Sequence, residues 1–363
     1  MDAEATQVCE QIFKARCPEE IFGTGRLNEQ EIKAIFRQLS MVVHPDRQNG
    51  NDVAKNAFVR LNSYYDLALK KLQSGNYGDG LDELGGHSQE SGFSIKTRKN
   101  EYQIDKTLAE GDLSVVYGGV AVGKGGFSGR IAAKVVDEAK NNDLMLNEVR
   151  VLKMFQAGHS NQSKHLPVLL DQFKTKDDQL GTIMEYIDGY DLYSIREGSR
   201  WKDGIDRRHI VWMLNRSLSA LGYAHSLGLV HGNIDPSHII IRPRDHNAWI
   251  IDWCYTAINP ARTHDGFRVY NEDFSAPEVS EKKLPVPASD LYSLGKTMIY
   301  ALGGDVKTNK MPSNVEAALQ RFLLFFVRES PRQRAQDAWE MHEELNKLII
   351  DLWGPKKFRE FKV

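Results

Sequence analysis

The chain has 363 residues, 41% hydrophobic and 26% charged, which is the balance of a globular protein of about two domains. A formal net charge of −2 supplies no basic field for nucleic acid or an anionic membrane, and no run of 18 apolar residues is present to span a bilayer. Three cysteines (Cys9, Cys17 and Cys254) make no disulfide framework, and the polar, acidic start MDAEATQV is no secretion signal, so a reducing, cytoplasmic setting is expected.

Residues 1–74 read as helices. Asn28 and Glu31 have the spacing of a capping box, and Ile32, Phe36, Leu39 and Val43 follow as one apolar stripe. His44-Pro45-Asp46 ends that helix, because the proline ring and its restriction of His44 disfavour continuation. A second stripe follows in Phe58, Leu61, Tyr65 and Leu72, and two helices joined by a tight loop can bury the stripes against each other. The segment EIKAIFRQLSMVVHPDR running into FVRLNSYYDLAL resembles the J-domain family. The resemblance implies docking on a DnaK-type ATPase chaperone by His44, Pro45 and Asp46, with Lys33, Arg37 and Arg47 as supporting cations. It departs from the family at Gln38, Ser40 and Val42, where more lysines are usual.

Residues 75–92, GNYGDGLDELGGHSQESG, are rich in Gly, Ser and acid and read as a flexible linker. Short alternating runs such as GDLSVVYGGV and GRIAAKVV follow, as in a twisted antiparallel sheet. A helical stretch over about 141–156, a strand-like GTIMEYI and a long helical region complete an α+β order. The closing PKKFREFKV, 356–363 with its approach, reads as a solvated basic tail.

Several motifs fall in register over about 100–350: IAAK, NEVRVL, HGNIDPSHIII, IIDWCYT, Ala276-Pro277-Glu278, SDLYSLG and SPRQRA. In this order they resemble the protein-kinase family. The resemblance implies a bilobal fold for residues 93–355, with a sheet-rich N-lobe and a helical C-lobe. It also implies a pocket for ATP with magnesium. Ala109, Gly111 and Ser114 stand where the family has three glycines, and added Cβ atoms limit backbone approach to phosphate. Lys134 stands at the phosphate-binding lysine and Glu148 at its helix partner, while Glu185 resembles the hinge that meets adenine. Asp252 occupies the metal-binding Asp, Glu278 and Arg334 match a structural ion pair, and Asp290 matches the residue bracing the catalytic loop.

The loop itself departs from the family. His231 is kept, and Gly232 replaces an Arg. Asn233 replaces the catalytic Asp, and its amide cannot take a proton, which removes about 10²- to 10⁴-fold of general-base help. Asp235 replaces a Lys beside the γ-phosphate, reversing an interaction of about 4 kcal/mol at about 4 Å and an effective dielectric near 20. His238 replaces the second metal-ligating Asn, and imidazole is a poor ligand for hard magnesium.

The function expected from these readings is a J-domain co-chaperone whose pseudokinase body binds an unknown client protein. The alternative is an atypical Ser/Thr protein kinase directed to chaperone complexes, with Asp235 in the lost base's role. A third reading is a scaffold that binds neither nucleotide nor metal.

Overall fold

The computed structural model describes residues 3–15, 18–23, 27–44, 47–48, 51–73, 77, 93–111, 113–123, 127–158, 161–198 and 200–363. The chain forms two compact units, Met1–Glu90 and Ser91–Val363.

The described part of the first unit is helical: α1 (Ala3–Lys14), α2 (Glu19–Phe22), α3 (Glu29–Val43) and α4 (Asp52–Gln73). Helix α3 begins with the expected reciprocal cap. The Asn28 side chain accepts from the Glu31 amide at 3.0 Å, and the Asn28 amide donates to Glu31 Oε2 at 2.8 Å. It ends at Val43, and His44 takes the extended backbone (φ −62°, ψ 129°) that a following proline imposes. The two apolar stripes meet as expected. Ile32, Val43 and Leu61 are buried, and Phe36 stacks on Tyr65 with ring centroids 4.1 Å apart. Burying each such aliphatic side chain contributes about 1.5–3 kcal/mol.

Tyr77 lies within the stretch expected to be linker, yet it joins this core, and its hydroxyl donates to the Gly23 carbonyl at 3.1 Å. The packing of the helical unit therefore reaches past residue 74. The other linker residues, 75–76 and 78–92, lie outside the described residues, as do Pro45 and Asp46.

The second unit opens with the expected sheet. Strands β1 (Ser94–Lys96), β2 (Glu101–Glu110), β3 (Ser114–Ala121) and β4 (Arg130–Val136) precede α5 (Asn142–Ala157), and β5 (Leu169–Lys174) and β6 (Leu180–Glu185) complete it. The order is β1-β2-β3-β4-β6-β5, every pair antiparallel. β4 is thus an inner strand, and it carries Lys134 opposite Thr182 of β6.

The helical part contains β7 (Tyr190–Asp191), α6 (Leu192–Glu197), α7 (Arg207–Ser226), β8 (Leu229–Val230), β9 (Ile239–Arg242), β10 (Asn247–Ile250), β11 (Ala257–Ile258), α8 (Pro260–Thr263), α9 (Pro277–Ser280), α10 (Pro287–Ala301), α11 (Ala317–Phe326) and α12 (Ala338–Trp353). Helices α7 and α10 are buried along most of their length and form the floor of the unit. Two short antiparallel sheets, β10-β9-β7 and β11-β8, hold the loops where the motif residues lie.

The terminal segment 355–363, read as a solvated tail, is exposed at every residue except Phe361. Phe361 is buried against the rings of Trp201 and His209, and Trp201 Nε1 donates to the Lys362 carbonyl at 2.8 Å. The basic residues of the segment dominate its composition, but one buried aromatic ring is enough to fix its path. Among the described residues no helix is long and apolar enough to cross a membrane.

Candidate active site

The site is built around one buried cation, which, like its partner Glu148, is not among the residues lining the cavity itself. Lys134, on the inner strand β4, places Nζ 3.3 Å from Glu148 Oε1 and in direct contact with Asp252 Oδ1. Helix α5 supplies Glu148 because its buried residues recur at helical spacing (Leu144, Met145, Glu148, Val149, Leu152), which turns residue 148 toward the sheet. Burial opposes the charge on Lys134, but Asp252 and Glu148 overcome it and hold the ammonium well above its ordinary range. Burial also works against the Asp252 carboxylate, yet Lys134 pulls it well below the usual carboxylate range. Glu148 is the odd partner: burial raises it despite the lysine beside it. The stable arrangement is a charged Lys134 held chiefly by an ionised Asp252.

Asp252 reaches this position through its backbone. It adopts a left-handed conformation (φ 64°, ψ 60°), which costs a residue other than glycine on the order of 1–3 kcal/mol. The next residues offset that cost. Trp253 is fully buried, edge-on to Phe155 of α5 and to His231, at centroid distances of 4.8 and 4.5 Å, and its Nε1 donates to the Ile250 carbonyl at 2.8 Å. The Cys254 thiol, which burial keeps protonated, donates to Asp252 Oδ1 at 3.1 Å. Asn147 of α5 then donates through Nδ2 to the carbonyls of Cys254 and Thr256, 2.9 Å each. These contacts fasten the turn after β10 to the helix that carries Glu148. A small Cβ-bearing residue at 254, in place of the family's Gly, fits this fixed turn.

The loop between β8 and β9 is held from below by Asp290 of α10. Its Oδ2 accepts from the His231 amide at 2.8 Å and its Oδ1 from the Gly232 amide at 2.9 Å, while His225 Nε2 lies 3.0 Å from Oδ2. His231 donates through Nε2 to the Ile251 carbonyl at 2.9 Å, and burial lowers its pKa, so the ring is a neutral strut. Gly232 occupies a positive φ of 76°, a conformation that the family's Arg would strain to adopt here. Below α9 the Glu278–Arg334 pair is buried and bonded at 2.6 Å, as expected, with Ser289 Oγ donating to the other Glu278 oxygen at 2.7 Å.

Above that support lies a cavity of about 360 Å³, lined by Gly111, Asn233, Asp235, His238, Asp252 and Asn271 among others. Asn233 points its amide nitrogen toward Asp252 Oδ2 at 3.5 Å. Asp235 Oδ1 accepts from the amide and hydroxyl of Ser237, capping a short turn, and its Oδ2 faces the Asn271 amide at 3.5 Å. Of the two carboxylates lining the cavity, Asp252 is held by Lys134 and Asp235 is not. Gly111 closes a tight turn, its amide donating to the Ser114 carbonyl at 2.9 Å.

Other residues singled out in the sequence lie elsewhere. Glu185 ends β6, its amide donating to the Val168 carbonyl at 3.0 Å, and it is not among the residues lining the cavity. In the first unit Lys33, Arg37 and Arg47 are exposed, and His44 is half-buried with its ring 5.2 Å from that of Phe58. Asn147 and Asn271 gave no sign in the sequence, because their partners are far-off backbone and side-chain groups. Among the described residues no cluster of three or more His, Cys, Asp or Glu side chains is placed to hold a metal ion.

Comparison with known proteins adds the family. The protein kinase domain matches residues 102–357. The chain is 27% identical over 211 residues to serine/threonine-protein kinase D of Synechocystis sp., covering 53% of this chain and 39% of that protein. It is 25% identical over 273 residues to serine/threonine-protein kinase pkn3 of Myxococcus xanthus, covering 70% and 46%. It is 32% identical over 161 residues to serine/threonine-protein kinase cds1 of Schizosaccharomyces pombe, covering 43% and 33%. The chain therefore spans less than half the length of these relatives.

These findings overturn the expected co-chaperone with a pseudokinase body. The matched family and the relatives are protein kinases, and nothing in them supports a J-domain in the first unit. The expectation gave a three-residue motif on a helical hairpin more weight than a pattern that runs through the whole second unit. The match covers most of the chain and coincides with the sheet, the helical floor and the Lys134 pocket, so the chain belongs to the protein kinase domain family.

Proposed function

We propose that the chain binds ATP with a divalent ion and transfers its γ-phosphoryl group to Ser or Thr hydroxyls of proteins, as an atypical Ser/Thr kinase. The observation that carries this reading is the assembled Lys134–Glu148–Asp252 group at a cavity within a kinase-family fold. The donor set fits the family's magnesium at one position: Asp252 offers a hard carboxylate oxygen, and Lys134 offers a cation for phosphate oxygens. A bound magnesium would neutralise charge on the phosphates. Lys134, oriented by Glu148, would hold those phosphates.

Phosphoryl transfer depends mainly on positioning and electrostatic stabilisation, so loss of a general base slows it without removing it. Asn233 can still orient an acceptor hydroxyl by hydrogen bonding. Asp235 is the cavity carboxylate left to receive the proton, though its contacts with Ser237 and Asn271 hold it back from that task. The expected outcome is slow kinase activity. In this reading the first unit directs the kinase to its substrates. Exposed Lys33, Arg37 and Arg47 of that unit favour an acidic protein partner.

The test is phosphate incorporation into a broad panel of protein substrates by the purified chain, alongside thermal unfolding with ATP. ATP at about 100 times its dissociation constant should add about 2.7 kcal/mol to stability. Both signals should vanish in Asp252→Ala. Absence of incorporation by the unaltered chain with either magnesium or manganese would refute the kinase reading.

A further inference from the structure

One side chain in the cleft does not suit magnesium. His238 lines the cavity beside Asp252, at the position of the family's second metal-ligating Asn. Its Nδ1 lies 2.8 Å from the Asn233 carbonyl oxygen. A carbonyl has no proton to give, so Nδ1 carries the hydrogen and donates it. In the neutral ring this leaves the lone pair on Nε2, and Nε2 lies 3.4 Å from Asp252 Oδ2. A nitrogen and a carboxylate oxygen therefore converge from two loops on one small region of the cavity. A backbone carbonyl that fixes the far nitrogen, and so turns the near one outward, is the arrangement that orients metal-binding histidines.

We propose that His238 Nε2 and Asp252 Oδ2 form a mixed nitrogen–oxygen seat that selects a first-row transition-metal ion, such as manganese or cobalt, over magnesium as the partner of the bound nucleotide. This rests on the nucleotide pocket proposed above. Magnesium takes oxygen ligands and dehydrates reluctantly, whereas imidazole suits the transition ions, with affinity rising from manganese to cobalt. Two protein ligands suffice where nucleotide phosphates and water complete the shell, as is usual when a divalent ion is bound together with a nucleotide. The competing role for the ring is that of a bare cation. Its Nδ1 is also 3.4 Å from Asp235 Oδ1, so a protonated His238 would lie between two carboxylates and return a positive charge to the cleft. Such a cation would be indifferent to the metal.

The experiment uses the full chain and measures ATP affinity by equilibrium dialysis with Mg²⁺, Mn²⁺ or Co²⁺, in the unaltered protein and in His238→Asn. Affinity should rise from Mg²⁺ to Mn²⁺ to Co²⁺. The ratio of Mn²⁺ to Mg²⁺ affinities should be at least tenfold larger in the unaltered protein than in His238→Asn, which restores the family's oxygen ligand. A second readout needs no variant. In protein carrying isotopically labelled histidine, Mn²⁺ with ATP should broaden the His238 ring signal beyond detection while leaving that of His165 in place. Equal metal ratios in the two proteins, with ATP still bound, would overturn the seat and leave the proposed kinase standing. ATP bound with none of the three ions would remove both.

Discussion

The back and the mouth of the cleft adjoin at His231 and Gly232 and follow different rules. At the back, His231, Asp290, Glu278, Arg334 and Trp253 make the contacts expected of a kinase fold, in buried surroundings with short hydrogen bonds. At the mouth, Gly232, Asn233, Asp235 and His238 carry side chains that differ from the family's in charge or ligand chemistry. The loop keeps its path because Asp290 grips the amides of His231 and Gly232. Backbone amides are available from any residue except proline, so the side chains facing the cavity can change without disturbing the support. Fold and chemistry are thus separable in this loop.

The comparison breaks most severely if the back is cut. Glu278→Ala removes one partner of an ion pair whose side chains are 0% and 2% exposed, and it leaves the Arg334 charge buried. The expected loss is about 3–5 kcal/mol, read from denaturant unfolding of the whole chain. A loss below about 1 kcal/mol would mean that the Glu278–Arg334 pair is not what supports the back of the cleft.

The mouth gives the next largest effect, in the opposite direction. Asn233→Asp returns a carboxylate to the position 3.5 Å from Asp252 without touching the support. Kinase activity should rise by about 10²-fold or more, with little change in unfolding midpoint. If activity does not rise, the defect lies in phosphate and metal binding by Asp235 and His238 instead of in proton removal.

The sequence disclosed the back of the cleft more fully than its electrostatics. Helix periodicity and capping chemistry are local, so the cap at Asn28–Glu31 and the stripes of α3 and α4 were readable directly. Lys134 and Glu148 were readable because a strand and the helix after it pack together. The contact between Lys134 and Asp252 bridges 118 residues, and the Asn147 clamp bridges 107, so no local pattern could announce either. The role of the first unit was misjudged for the same reason. Three residues at a helix end constrain a loop, but they do not define a partner.

The smallest expected effect concerns the back of the helical part and pH. His165 is 1% exposed, and its Nδ1 donates to the Ala248 carbonyl of β10 at 3.2 Å, which requires only the neutral ring. Burial first, then the nearby Arg216 and Lys164, lower its pKa to about 4 from an ordinary 6.5. The folded state thus holds this proton less tightly than the unfolded state, and stability rises with pH across the interval. The contribution is complete above about pH 6.5 and is lost as pH falls toward about 4. Moving from pH 7 to pH 5 should therefore destabilise the unaltered chain by on the order of 1 kcal/mol at this residue. His165→Gln keeps a donor for the Ala248 carbonyl and removes the titration. Unfolding midpoints measured at both pH values should lie closer together in that variant than in the unaltered protein. His209, His231, His246 and His342, lowered in the same direction by burial, contribute to the slope that remains. If the two proteins show the same slope, acid sensitivity resides in groups other than the ring beneath β10.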